Sequence, residues 1–100
     1  MKLFIDDIRN PPDDSWQVVR SSKNGIDFLL TYGMPDEISF DHDLGGDDTS
    51  MVFINTMIEM VLDGNLKIHP EFGYTIHSAN PVGCENIKSK MDGFLKFIRS

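Results

Sequence analysis

A chain of 100 residues makes one domain, with a core that is adequate but not generous. Its apolar fraction of 40% and charged fraction of 25% are ordinary for a globular protein, and its formal net charge is −7, from 16 acidic against 9 basic residues. That balance excludes passive attraction to extended duplex DNA, which relies on Lys and Arg meeting phosphate, and the single cysteine excludes an internal disulfide or a cysteine metal cluster.

Residues 2–6 read as a short buried strand. Asn10-Pro11-Pro12-Asp13-Asp14-Ser15 cannot continue it, because proline lacks a donor and the polar residues favour turns. Trp16 to Val19 predict a second strand. Ser22 is the expected cap of a helix running through Tyr32, with Ile26, Leu29 and Leu30 on its inner face and Gly33 as its stop. Residues 37–42 predict a third strand, followed by the loop Leu44-Gly45-Gly46-Asp47-Asp48. Asp48 or Thr49 would cap the next helix, from about Ser50 to Leu62. Apolar residues cover most of that helix, leaving only Asn55, Thr56 and Glu59 as a polar stripe. It is therefore deeply buried or covered by a partner, and a homodimer through residues 50–62 is one expectation.

Asp63-Gly64-Asn65 ends this helix, and residues 73–78 predict a fourth strand. Asn80 suits an N-cap and Pro81 the first helical position. The last helix carries Cys84, Ile87, Met91, Phe94, Leu95 and Ile98 at three- and four-residue spacings, which gives Cys84 a core role. The order β-β-α-β-α-β-α predicts an α/β fold: one domain over residues 1–100, a compact doubly wound parallel sheet of about four strands with three helices. No segment approaches the roughly 18 continuous apolar residues of a membrane span. The N-terminus turns acidic too soon for a signal peptide, so a cytoplasmic location is expected.

Three polar clusters follow predicted strands: Asp6-Asp7-Ile8-Arg9, Asp41-His42-Asp43 and His77-Ser78-Ala79-Asn80. The carboxyl ends of parallel strands share one edge, where ligands bind. Three carboxylates there repel one another unless a cation lies between them, and hard oxygen ligands suit Mg²⁺ or Mn²⁺; Asp6, Asp7 and Asp41 are the candidate metal ligands. His42 and His77 are candidate catalytic residues, as base and acid or as ligands of a softer metal, and Asp41 is a third, as a nucleophile. Alternation along the strand sets Asp41 and His42 on opposite faces, unless a kink intervenes. Arg9, Ser78, Asn80 and Gly83, with the Val82 amide, are candidate phosphate contacts at the start of the last helix. If Asn80 only caps that helix, its side chain is used on backbone. Asp43 and Gly45 are supporting candidates, and His69 is expected at the surface. Residues 41–47 superficially resemble a calcium loop, but Val52 stands where its twelfth-position Glu belongs.

Leu3-Phe4-Ile5-Asp6-Asp7 resembles the first strand and metal-holding acidic pair of two-component receiver domains. Asp41 matches the phosphoacceptor aspartate, and Thr75-Ile76-His77-Ser78-Ala79 resembles the receiver's hydroxyl-then-alanine strand end, with Ser78 as the phosphate-sensing hydroxyl. The departures are a loop in place of the first helix, no last strand with its lysine, and histidines at 42 and 77 where receivers carry apolar residues. Asp-Asp-Ile-Arg-Asn-Pro-Pro, Phe-Asp-His-Asp-Leu-Gly and His-Ser-Ala-Asn-Pro-Val-Gly together are similar to the cyclic-phosphate processing receiver domains, over nearly the whole chain. The resemblance implies a receiver-like (flavodoxin-like) fold. It also implies metal-assisted hydrolysis or transfer at a cyclic phosphate, in RNA repair or nucleotide signalling, with a small phosphorylated ligand or an RNA end as partner. The alternative is a non-enzymatic signalling or protein-interaction module, with or without phosphoacceptance at Asp41.

Overall fold

The computed structural model describes residues 1–100. Four strands, β1 (Lys2–Ile5), β2 (Trp16–Val19), β3 (Glu37–Phe40) and β4 (Gly73–Ile76), form one parallel sheet in the order β2-β1-β3-β4. Three helices, α1 (Ser22–Tyr32), α2 (Ser50–Leu62) and α3 (Pro81–Ile98), connect or follow the strands. The α/β receiver-like architecture expected from the sequence is the one present.

Strand order turns once: the chain steps from β1 outward to β2, then back across β1 to β3 and on to β4. The helices nonetheless share one face. α1 packs on α2 and α2 on α3. Their buried residues, including Leu29, Phe53, Met57, Ile87 and Met91, form one cluster with Leu3, Ile5, Ile38 and Phe40 of the sheet. Full burial of side chains of this size stabilises the fold by about 1.5–3 kcal/mol each. The other face of the sheet has no helix, because residues 6–15 link β1 to β2 by a proline-containing loop. Phe4 lies on that face, buried yet outside the main core cluster, against Trp16 and His77.

Some details differ from the sequence reading. Ser21, not Ser22, caps α1, its hydroxyl accepting the Asn24 amide at 3.0 Å. Ser22 is the first helical residue, and its amide and hydroxyl both donate to Asp48, at 2.9 and 2.5 Å. Asp48 is thereby used on α1, and Thr49 caps α2. Leu30 is exposed rather than inward; the buried α1 face is Ser22, Gly25, Phe28 and Leu29. That stripe is set by the fit to α2, where a Cβ on Gly25 would come 2.7 Å from Phe53 Cδ2. Cys84 is only half-buried, its thiol donating to the Ser78 carbonyl at 3.3 Å. His69 is exposed as expected. No helix is long and apolar enough to cross a membrane.

Candidate metal and phosphate site

The regular strands end one or two residues earlier than expected, but their ladders reach one residue further. The Asp6 amide donates to Val19 O at 3.2 Å, Asp41 to Ile5 O at 2.9 Å, and His77 to Phe40 O at 2.9 Å. These bonds pin three polar residues to the carboxyl edge of the sheet. Strand periodicity of two then fixes direction. Asp6, Asp41 and His77 continue the Phe4, Ser39 and Thr75 side, which is the helix-free face.

Oxygen atoms of Asp6, Asp7 and Asp41 lie within 4.8 Å of one another, a cluster suited to a divalent cation. The three carboxylates are not equivalent. Asp6 is almost fully buried, and its Oδ1 accepts the Ile8 and Arg9 amides at 2.8 Å each. Its Oδ2 meets His77 Nε2 at 2.9 Å and Arg9 Nε at 3.5 Å. Burial alone would push the Asp6 carboxyl up, but the two amides and His77 together hold it below the ordinary value. Asp41 is pushed the other way. Burial is the main cause and the Asp6 charge the second, only partly offset by the Ser78 hydroxyl, Arg9 and His77. A cation among these carboxylates would supply the countercharge that Arg9 and His77 give Asp41 only in part. Asp7, half-buried, faces the Gly45 turn, where a Cβ would lie 3.4 Å from its Oδ2. Gly45 and Gly46 both have positive φ, at 92° and 57°, which favours glycine.

The two histidines are in different places. His77 stacks on Phe4, with centroids 4.3 Å apart and planes 6° off parallel, and its Nδ1 lies 2.7 Å from Ser39 Oγ. With Nε2 on Asp6, both ring nitrogens are engaged inside the chain. His42 follows the opposite strand parity and turns towards α3. Its Nδ1 meets Asp43 Oδ1 at 3.1 Å, and its ring packs against Gly83. His42 and Asp41 are neighbours in sequence whose side chains leave the strand on opposite sides.

At the start of α3, Asn80 Oδ1 accepts the Gly83 amide at 3.0 Å, and Asn80 Nδ2 donates to Asp43 Oδ2 at 3.2 Å. The Gly83 amide is thus taken, and the space over Gly83 holds the His42 ring. Ser78 accepts the Asn80 amide at 3.1 Å. The half-exposed Arg9 donates through one Nη to the His77 carbonyl at 2.9 Å. Arg20 and Ser50 escaped the sequence reading. Arg20 donates to the carbonyls of Asp6 and Arg9 at 3.1 and 2.5 Å and to Asn10 Oδ1 at 2.8 Å, clasping the β1–β2 loop. Its signal was its place directly after a strand, the rule that found the other clusters. Fully buried Ser50 bonds the Asp41 carbonyl with its hydroxyl and the His42 carbonyl with its amide. As the first residue of a predicted helix, it gave no such sign.

No curated protein and no solved structure matches the chain significantly. The model of one family, described as "Cyclic-phosphate processing Receiver domain", matches residues 1–93, which include every residue of the carboxylate cluster and both histidines of the sheet edge. The chain therefore belongs to the cyclic-phosphate processing receiver domains.

Proposed function

We propose that the chain is a metal-assisted phosphoesterase that opens a cyclic phosphate, at a 2′,3′-cyclic RNA or nucleotide end or in a cyclic nucleotide. The observation that carries this reading is the carboxylate cluster of Asp6, Asp7 and Asp41 on the sheet edge, with Asp41 raised by burial and by its neighbour's charge. Asp7 and Asp41 would hold the metal directly, since Asp6 already has four partners inside the chain. A divalent cation there would neutralise phosphoryl charge and acidify a water molecule. Arg9, with its guanidinium half exposed, and the Ser78 hydroxyl would hold phosphate oxygens. Water forms the new P–O bond, one ring P–O bond breaks, and the departing ribose oxygen takes a proton. Of the two histidines His42 alone has a ring nitrogen, Nε2, without a partner inside the chain; as proton carrier it would act across the sheet edge, since its side chain leaves the strand on the side opposite to Asp41. His77 acts instead as a positioning residue for Asp6.

A second reading, phosphoacceptance at Asp41, rests on the Asp41 carboxylate having only the Ser78 hydroxyl as a hydrogen-bond partner. Turnover of 2′,3′- and 3′,5′-cyclic nucleotides with Mg²⁺ or Mn²⁺ separates the two. The phosphoesterase predicts turnover that Asp7→Asn abolishes and His42→Ala lowers by about 10²–10⁴-fold. Absence of turnover with every substrate and metal would sink it, and stoichiometric labelling of Asp41 by a small phosphodonor would establish the second reading.

A further inference from the structure

The geometry points to a positioning device for His42 built from Asp43, Asn80 and Gly83, which fixes the imidazole as the Nδ1–H tautomer and leaves Nε2 as an acceptor. This rests on the proposed phosphoesterase reading and names the parts that would orient its proton carrier.

Three observations converge. Asp43 Oδ1 lies 3.1 Å from His42 Nδ1, and a carboxylate can only accept, so a neutral ring bonded there carries its proton on Nδ1. Asn80 Nδ2 donates to the other oxygen, Asp43 Oδ2, at 3.2 Å, which holds the exposed carboxylate in orientation. Gly83 supplies the space. A Cβ there would lie 2.7 Å from His42 Cβ and 2.8 Å from Cδ2, closer than real atoms approach, so a side chain at this position would evict the ring.

The same Asn80 joins this unit to the helix. Its Oδ1 caps α3 through the Gly83 amide while its Nδ2 reaches Asp43, so one amide group sets both the helix start and the carboxylate. This accounts for Asn rather than Asp or Ser at the cap: the cap needs only an acceptor, whereas Asp43 needs a donor.

The test is the tautomer of His42, read from its ring ¹⁵N shifts by NMR without metal or substrate, about two pH units above the ordinary imidazole value of roughly 6.5. The native chain is expected to show the Nδ1–H form and contacts between the His42 ring and the Gly83 Hα protons. Asp43→Ala, at an exposed position, is expected to return the ring to the Nε2–H form that free histidine prefers. Asn80→Asp keeps the cap acceptor but removes the donor, and should shift the tautomer part of the way. Gly83→Ala should abolish the ring contacts. A native ring already protonated on Nε2, or an Asp43→Ala ring unchanged from native, would overturn the inference. Because none of these readings involves turnover, an inactive native protein would defeat the phosphoesterase reading without touching this one.

Discussion

His77 is the residue on which most of the sheet edge depends. Its ring covers Phe4 on the face that lacks a helix, and its two nitrogens tie Ser39 of β3 to Asp6 at the end of β1. His77→Ala would leave a buried carboxylate short of a partner, at a cost of about 1–3 kcal/mol, measurable by urea unfolding. The same contact contributes to the acid limit, after the Ile8 and Arg9 amides. Asp6 is depressed in the folded chain below its ordinary 3.8. It therefore adds stability above that value and loses it as the pH falls through the folded value. Without His77 the folded value rises, and acid unfolding should begin at higher pH. An unchanged acid midpoint would show that the Ile8 and Arg9 amides hold Asp6 without help.

Asp41 carries the opposite sign. Its folded carboxyl is raised, so a proton favours the folded state, and its ionised form weakens the metal-free protein at neutral pH. Asp41→Asn is expected to raise Tm in chelator and to erase the rise in Tm that Mg²⁺ is expected to give the native chain. At a metal concentration a hundred times Kd, that rise corresponds to about 2.7 kcal/mol. A lower Tm for Asp41→Asn in chelator would show that the partly offset Asp41 charge does not weaken the metal-free chain.

Among the elements, α1 and α2 meet where Gly25 admits the Phe53 ring. Gly25→Ala should destabilise by about 1–3 kcal/mol through overpacking, and Phe53→Ala by about 3–5 kcal/mol. Leu30→Ala, on the exposed side, should fall within about 0.5 kcal/mol of native. This trio also shows where sequence stops. Hydrophobic spacing and turn residues give the strands and helices within a residue or two, because the periods of 2 and 3.6 are local properties. They do not say which of Leu29 and Leu30, about 100° apart around a helix, meets α2. Nor do they say which of two adjacent serines caps α1, since the answer lies with Asp48, 26 residues from Ser22. The carboxylate cluster was legible because strand ends share an edge. The separation of His42 from His77 was not, because it depends on the register that sets Phe40 against Ile76 and so puts Asp41, not His42, on the side of His77.

Taken whole, the molecule places its helices on one side of the sheet and an acidic, metal-suited edge at the carboxyl ends, in a chain of net charge −7. An anionic substrate would meet that field unfavourably without a cation, which is why the proposed reaction joins metal to phosphate. Its most direct test is hydrolysis of a 2′,3′-cyclic nucleotide in ¹⁸O-water with Mg²⁺ or Mn²⁺, followed by ³¹P NMR. A metal-assisted phosphoesterase would give many turnovers per chain, a phosphomonoester carrying a single ¹⁸O, and no reaction in chelator. A cyclic phosphate left intact, or product formed equally well in chelator, would contradict it.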